Sequence, residues 1–176
     1  MAKKTTAAAK VAVIMGSGSD LKEMAPCFET LEMFGIAFSA TIASAHRTHE
    51  YLKKTVTEFE RDGGRIVIAA AGGAAHLPGV VAALTSLPVI GVPMNSKLLG
   101  MDSLLSIAQM PAGMPVATVA IGGSKNAALL AAQILSLSDA GLKKKYADFR
   151  TKQAAAVIAK SARLNQKGHK DYFEKG

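Results

Sequence analysis

The sequence predicts a single α/β domain: a parallel sheet in three layers, with helices on both faces. Three observations predict it. Short apolar runs alternate with longer amphipathic ones along most of the chain. The apolar runs stop at clusters of Gly, Ser and Ala. From Ile66 to Met94 no residue carries a formal charge when His76 is neutral, as strands buried on both faces require.

The elements follow in order. Lys10–Met15 reads as a buried strand that stops at Gly16-Ser17-Gly18-Ser19-Asp20. Leu21, Met24, Phe28, Leu31 and Phe34 recur at helical spacing, Pro26 predicts a kink or a later start, and Gly35 ends the helix. Ile36–Ile42 is a second strand and Ala43–Thr48 a loop. Glu50–Asp62 is a helix with Leu52, Val56 and Phe59 inward, closed by Gly63-Gly64. Arg65–Ala71 is the third strand, Gly72–Pro78 a loop, Gly79–Leu84 a short helix and Val89–Val92 the fourth strand. Leu104–Ala108 is helical, Val116–Ile121 a fifth strand, Asn126–Leu137 an Ala/Leu helix and Leu142–Arg163 a basic helix. The α/β domain is expected over 10–140. The 141–176 segment is expected to be a basic C-terminal helix and tail of the same domain. A flavodoxin-like arrangement is the fold class expected.

Composition narrows the function. At 176 residues, 49% hydrophobic with 16 Gly and 6 Pro, the chain can bury a sizeable core. The net charge of +8 suggests nucleic acid until it is located. Residues 1–10 carry +3 and residues 142–176 carry +7, while the body between them carries −2. Aromatics are only 5%. A phosphate-backbone groove needs basic residues spread over a folded face, and a single-strand groove adds stacking rings. The tails read instead as solvated helix faces, so no nucleic acid is expected. The uncharged Ile66–Met94 span is long enough to raise a membrane reading, but its Gly and Pro residues break it into strand, loop, helix and strand. No membrane association is expected, and the location expected is cytoplasmic. The lone Cys27 reads as a small buried hydrophobe and excludes an internal disulfide.

In a parallel sheet, ligands bind beyond the carboxyl ends of the strands. Three post-strand loops therefore matter. In Gly16–Asp20, small residues let backbone N–H groups approach an anion, and Ser17 and Ser19 add hydroxyls. The alternative is that Ser19 or Asp20 simply caps the helix. Asp20 would repel phosphate, so a sugar hydroxyl suits it better. In Ser44-Ala45-His46-Arg47-Thr48, His46 can exchange a proton near neutral pH and Arg47 offers a planar fork for phosphate or carboxylate. His49 reads as an exposed or capping residue. In Ala71-Gly72-Gly73-Ala74-Ala75-His76-Leu77-Pro78-Gly79, small residues let a flat ligand lie on the backbone, and His76 either bonds the ligand or holds the loop. Asn95, Ser96 and Lys97 are less readable: Lys97 is a solvated charge or a loop anchor.

Taken together, G-S-G-S-D at 16–20, S-A-H-R-T at 44–48, A-G-G-A-A-H-L-P-G at 71–79, G-V-P at 91–93, D-S-L-L-S-I-A-Q-M-P-A-G at 102–113 and N-A-A-L-L-A-A-Q-I-L at 126–135 resemble class I PurE in order and spacing. The resemblance covers about residues 10–140. It implies a mutase that converts N5-carboxyaminoimidazole ribonucleotide to its C4-carboxylated isomer without metal or organic cofactor. It implies that His46 is the general acid/base, that Ser17 and Arg47 bind phosphate and that Asp20 holds the ribose. Ser19, Ser44, Ala45, Ala71, Gly72, Gly73, Ala74, His76 and Leu77 complete the expected substrate site. A homo-octamer with the C-terminal helices at subunit interfaces is implied as well. Three features depart from the family pattern: a shortened loop at 122–126, His49 in place of proline, and the long basic tail. Two rival readings are a class II enzyme that carboxylates aminoimidazole ribonucleotide directly and a catalytically silent nucleotide-binding module.

Overall fold

Five strands pair in parallel in the order β2-β1-β3-β4-β5. They are β1 (Val11–Met15), β2 (Phe38–Ile42), β3 (Ile66–Ala71), β4 (Val89–Pro93) and β5 (Ala117–Thr118). The helices are α1 (Leu21–Phe34), α2 (His49–Arg61), α3 (Leu77–Leu84), α4 (Met101–Ala108), α5 (Ser124–Ser136) and α6 (Ala140–Asp171). The computed structural model describes residues 9–172. The chain divides after Leu135 into two compact units, each described by itself. Residues 1–8 and 173–176, the latter the end of the predicted tail, lie outside the described residues.

The first unit carries the sheet. Every residue of β1, β3 and β4 is buried, as expected for uncharged runs covered on both faces. Alternate residues point to opposite faces. Ala12, Ile14, Val67, Ala69 and Ala71 pack with Leu52 and Val56 of α2, Leu77 and Val81 of α3 and Ile107 of α4. α1 and α5 bury residues of their own, among them Met24, Cys27, Leu31, Ala127 and Ala131. Cys27 is wholly buried, and burial pushes its thiol up to about 12, so it is inert as a nucleophile at neutral pH.

Most predicted elements stand within a few residues of their expected bounds, and the differences have causes. Pro26 neither delays nor splits α1. It lies in the second turn, and the Thr30 hydroxyl donates to the Pro26 carbonyl at 2.7 Å. Gly35 closes the helix at φ 70, a conformation glycine adopts without strain. Leu21, expected inward, is 46% exposed, and Cys27 and Thr30 take inward positions. Phe59, also expected inward, is only partly buried against the core. The predicted strand Val116–Ile121 shrinks to two residues at the sheet edge. Its regular register with β4 ends at Thr118, though the Val119 and Gly122 N–H groups still donate to the Gly91 and Pro93 carbonyls at 3.1 and 2.9 Å before the chain turns at Gly122, φ 67. The Ala/Leu helix stops at Ser136, leaving Leu137 88% exposed. The short helix starts earlier than predicted, at Leu77, because Pro78 sits in its first turn, where a missing N–H costs nothing.

The second unit is the basic helix α6, longer than predicted. Asp139 caps it by accepting a hydrogen bond from the Leu142 N–H at 2.9 Å. Gly168, at φ 76, breaks its helical geometry near the end. Val157 and Ile158 are 67% and 68% exposed. Among the described residues no helix is long and apolar enough to cross a membrane.

Gly91 shows how tightly the sheet is covered. A Cβ there would collide with Ile107 Cγ2 and stand 2.9 Å from Val116 Cγ1. Gly91→Ala should therefore destabilise the fold by about 1–3 kcal/mol, the cost of overpacking a filled core. A lowered denaturant midpoint with an unchanged slope checks this.

Candidate active site

The parallel register aligns the ends of the central strands. Met15 lies opposite Ile42 on one side and Ala70 on the other. The three loops that follow therefore emerge side by side, and they line a cleft of about 660 Å³. Its lining includes Gly16, Ser17, Ser19 and Asp20 from the first loop, and Ser44, Ala45, His46 and Arg47 from the second. Ala71, Gly72, Gly73, Ala75, His76 and Leu77 come from the third. Of the predicted site residues only Ala74 is missing; it is exposed beside the cleft and does not line it. The loop after β4 adds Asn95, Ser96 and Lys97, and α4 adds Asp102.

The first loop is a short 3₁₀ turn, Gly18–Asp20, closed by a reciprocal cap. The Ser17 N–H donates to Asp20 Oδ2 at 3.1 Å, and the Ser19 N–H donates to Ser17 Oγ at 3.3 Å. The Ser19 hydroxyl lies 2.8 Å from Ser17 Oγ and 3.2 Å from Asp20 Oδ1. The cap expected from Ser19 or Asp20 falls instead to Ser17, on the 3₁₀ turn, while Asp20 at the N-cap of α1 makes no side-chain cap bond to that helix; both serine hydroxyls stand at the cleft. Burial pushes the Asp20 carboxyl above its ordinary range, against the pull of the bonds from Ser19 and Ser17.

The second loop is a closed ring. The Thr48 N–H donates to the Ser44 carbonyl at 3.0 Å, and the Ser44 N–H donates to Thr48 Oγ1 at 2.9 Å. Ser44 Oγ accepts from the Arg47 N–H at 3.3 Å and from Arg47 Nε at 3.4 Å. The remaining guanidinium donors of Arg47 are left for an anion. Because Thr48 spends its side chain on the loop, it gives α2 no side-chain cap. His49 opens that helix at its first position, which tolerates proline and most other residues alike. The departure at His49 therefore leaves the loop intact.

The third loop is held by unusual backbone. Gly73 takes φ 66 and Ala75 takes φ 38. The Gly73 N–H donates to the buried Ser103 hydroxyl at 2.9 Å. His76 then points across the cleft, and its Nδ1 lies 2.7 Å from His46 Nε2, the rings being edge to face at 85°. At that separation only one proton fits between the two nitrogens, so one ring donates and the other accepts. To the two sequence alternatives for His76, loop support and ligand contact, the structure adds a third feature: the ring lines the cleft and is bonded to the other histidine.

Asp102 was visible in the sequence only within the D-S-L-L-S motif. The Ser96 hydroxyl and the Ser103 N–H donate to its Oδ1, and the Ser96 bond holds the carboxyl below its usual range. Asn95 had no signal beyond its place after a strand. Among the described residues no three His, Cys, Asp or Glu side chains converge as a metal site would require.

The AIR carboxylase family model matches residues 10–156. This chain belongs to the AIR carboxylase family. It is 62% identical over 129 residues to the N5-carboxyaminoimidazole ribonucleotide mutase of Saccharolobus solfataricus, covering 73% of this chain and 82% of that one. It is 48% identical over 165 residues to the Thermotoga maritima protein of the same name, covering 93% and 96%. Among solved structures, Treponema denticola PurE superposes with a TM-score of 0.82 at 32% identity, covering 88% of this chain and 97% of that one. The PurE resemblance in the sequence thus extends to the fold of this AIR carboxylase family member.

The upward shift at Asp20 has a consequence for stability. A carboxyl whose folded pKa is raised binds its proton more tightly folded than unfolded, so its contribution is fully present in acid and is lost as pH rises. Asp20→Asn should melt at or above the wild-type temperature at neutral pH, and the difference should vanish below the carboxylate range. Thermal melts of both proteins across pH 3 to 7 check this, and a difference that grows toward acid would contradict it.

Proposed function

We propose that this chain is a mutase of de novo purine biosynthesis, converting N5-carboxyaminoimidazole ribonucleotide to 4-carboxy-5-aminoimidazole ribonucleotide. The observation that carries the reading is the convergence of three predicted loops on one cleft, with His46 hydrogen-bonded to His76 inside it. Two relatives named for this activity support it at 62% and 48% identity.

The roles follow from position. Arg47, with most of its donors open, and the paired hydroxyls of Ser17 and Ser19 take the phosphate. Asp20 takes a ribose hydroxyl. Ser44, Ala45 and the Ala71–Leu77 loop face the imidazole and its carboxyl group. His46 moves the proton. When the N5–carboxyl bond breaks, its electron pair stays on N5, and His46 supplies the proton that N5 takes up. Carbon dioxide is retained against the small residues of the third loop. C4 then attacks it, forming the new C–C bond, and His46 takes the C4 proton as the ring regains aromaticity. The proton lent to N5 is recovered from C4, so the cycle closes with no net acid or base and requires neither metal nor organic cofactor. His76 is bonded to Nε2 of His46, and this bond makes the tautomers of the two rings interdependent and orients the working ring.

Assembly as a homo-octamer and a cytoplasmic location belong to the same reading. The exposed Val157, Ile158 and Leu164 on α6 supply apolar surface that a second copy would cover. Direct carboxylation of aminoimidazole ribonucleotide and a silent binding module remain the rivals. His46→Asn should lower turnover about 10²- to 10⁴-fold while ribonucleotide binding stays within a few-fold of wild type. Wild-type turnover of freshly made substrate should be indifferent to added bicarbonate. Product formed only from aminoimidazole ribonucleotide and bicarbonate would select the carboxylase. Undiminished function in His46→Asn would select the binding module.

A further inference from the structure

Glu23 lies in the first turn of α1, three residues beyond Asp20. Its carboxylate Oε1 accepts a hydrogen bond from Asn95 Nδ2 at 3.2 Å. Its backbone carbonyl accepts one from the buried Ser124 hydroxyl at 2.7 Å. A Cβ on Gly122 would stand 2.9 Å from the same Oε1, so the loop after β5 passes this carboxylate with no side chain. One glutamate therefore ties the start of α1 to the loops after β4 and β5.

The tie has a chemical result at the cleft. Asn95 lines it, whereas Glu23 does not. With Nδ2 donating to a carboxylate, the amide has one orientation, because a flipped amide would set its oxygen against Glu23. What Asn95 has left is its Oδ1, an acceptor. Glu23 stands one turn beyond Asp20 at the start of α1, and Asp20 and Asn95 both line the cleft. A ribose presents two adjacent hydroxyls, each a donor. Asp20 already accepts bonds from the Ser17 N–H and the Ser19 hydroxyl, one on each of its oxygens, so a second acceptor beside it lets the two sugar hydroxyls be held separately.

We propose that Asn95, oriented by Glu23, is a substrate-binding residue that accepts a hydrogen bond from the second sugar hydroxyl, so that the cleft selects ribonucleotides over deoxyribonucleotides. The proposal rests on the ribonucleotide reading of the cleft. Asn95 touches the sugar, and Glu23 is a positioning residue that acts through it.

The test is calorimetric binding of aminoimidazole ribonucleotide and its 2′-deoxy and 3′-deoxy counterparts to the full chain, with mutase turnover followed in parallel. Asn95→Ala should weaken ribonucleotide binding about tenfold, the loss of one neutral hydrogen bond. It should also abolish discrimination against one of the two deoxy analogues while leaving the other penalty in place. Glu23→Ala should reproduce both effects, Glu23→Gln should restore binding toward wild type because its amide oxygen still accepts, and Glu23→Ala should add nothing to Asn95→Ala. Wild-type discrimination retained in Asn95→Ala would overturn the proposal. So would an equal loss from Glu23→Ala with and without Asn95, the mark of a purely structural role. Should Glu23→Ala fail to fold, Asn95→Ala and Glu23→Gln decide. Wild-type binding without turnover would overturn the mutase reading and leave this one standing. Absence of ribonucleotide binding would overturn both.

Discussion

The register of β1 is the constraint on which the site depends. β1 pairs in parallel with β2 on one side and β3 on the other, so three strands end together. Their loops then have only the width of a sheet between them, with adjacent strands about 4.8 Å apart. His46 and His76, thirty residues apart in the chain, meet at 2.7 Å because of this alignment. A slip of one residue in either pairing would move every side chain of that strand to the other face and separate the rings. The buried, uncharged strands hold the register, and the crowding around Gly91 shows how little slack the core leaves.

Within that frame each loop is fixed by bonds of its own. The reciprocal cap of Ser17 and Asp20, the ring of Ser44 and Thr48, and the Ser103 hydroxyl beneath Gly73 hold the first, second and third loops in turn. The cleft is thus organised before any ligand arrives, which suits a reaction whose difficulty is retention of a small intermediate rather than assembly of a cofactor. Asp20 bears a cost for this, since its burial favours the neutral form of a group proposed to hold a sugar. Polar groups kept in unfavourable surroundings mark functional sites more often than structural ones.

Much of this was legible in the sequence. Buried parallel strands need continuous apolar runs, and β1, β3 and β4 have them. The post-strand position of the Gly/Ser, His/Arg and Gly/Ala motifs placed them on one edge before any coordinates. What escaped was local or long-range in specific ways. Pro26 leaves α1 undivided, and the Thr30 hydroxyl bond to its carbonyl depends on geometry that periodicity does not encode. The fifth strand was overextended because Val116–Ile121 is apolar apart from Thr118, whereas its regular pairing with β4 stops at Thr118. The contact of His76 with His46 and of Asn95 with Glu23 joins residues thirty and seventy-two positions apart, with no motif linking them.

The central claim is that one cleft moves a carboxyl group from N5 to C4 and that the carbon dioxide does not leave. Substrate carrying ¹³C in its carboxyl group, turned over in an excess of unlabelled bicarbonate, tests this most directly. The account predicts that the C4-carboxylated product retains the label through the first turnovers. Product whose carboxyl carbon matches the bicarbonate pool from the outset would contradict it, and would place the chemistry in carboxylation from solution.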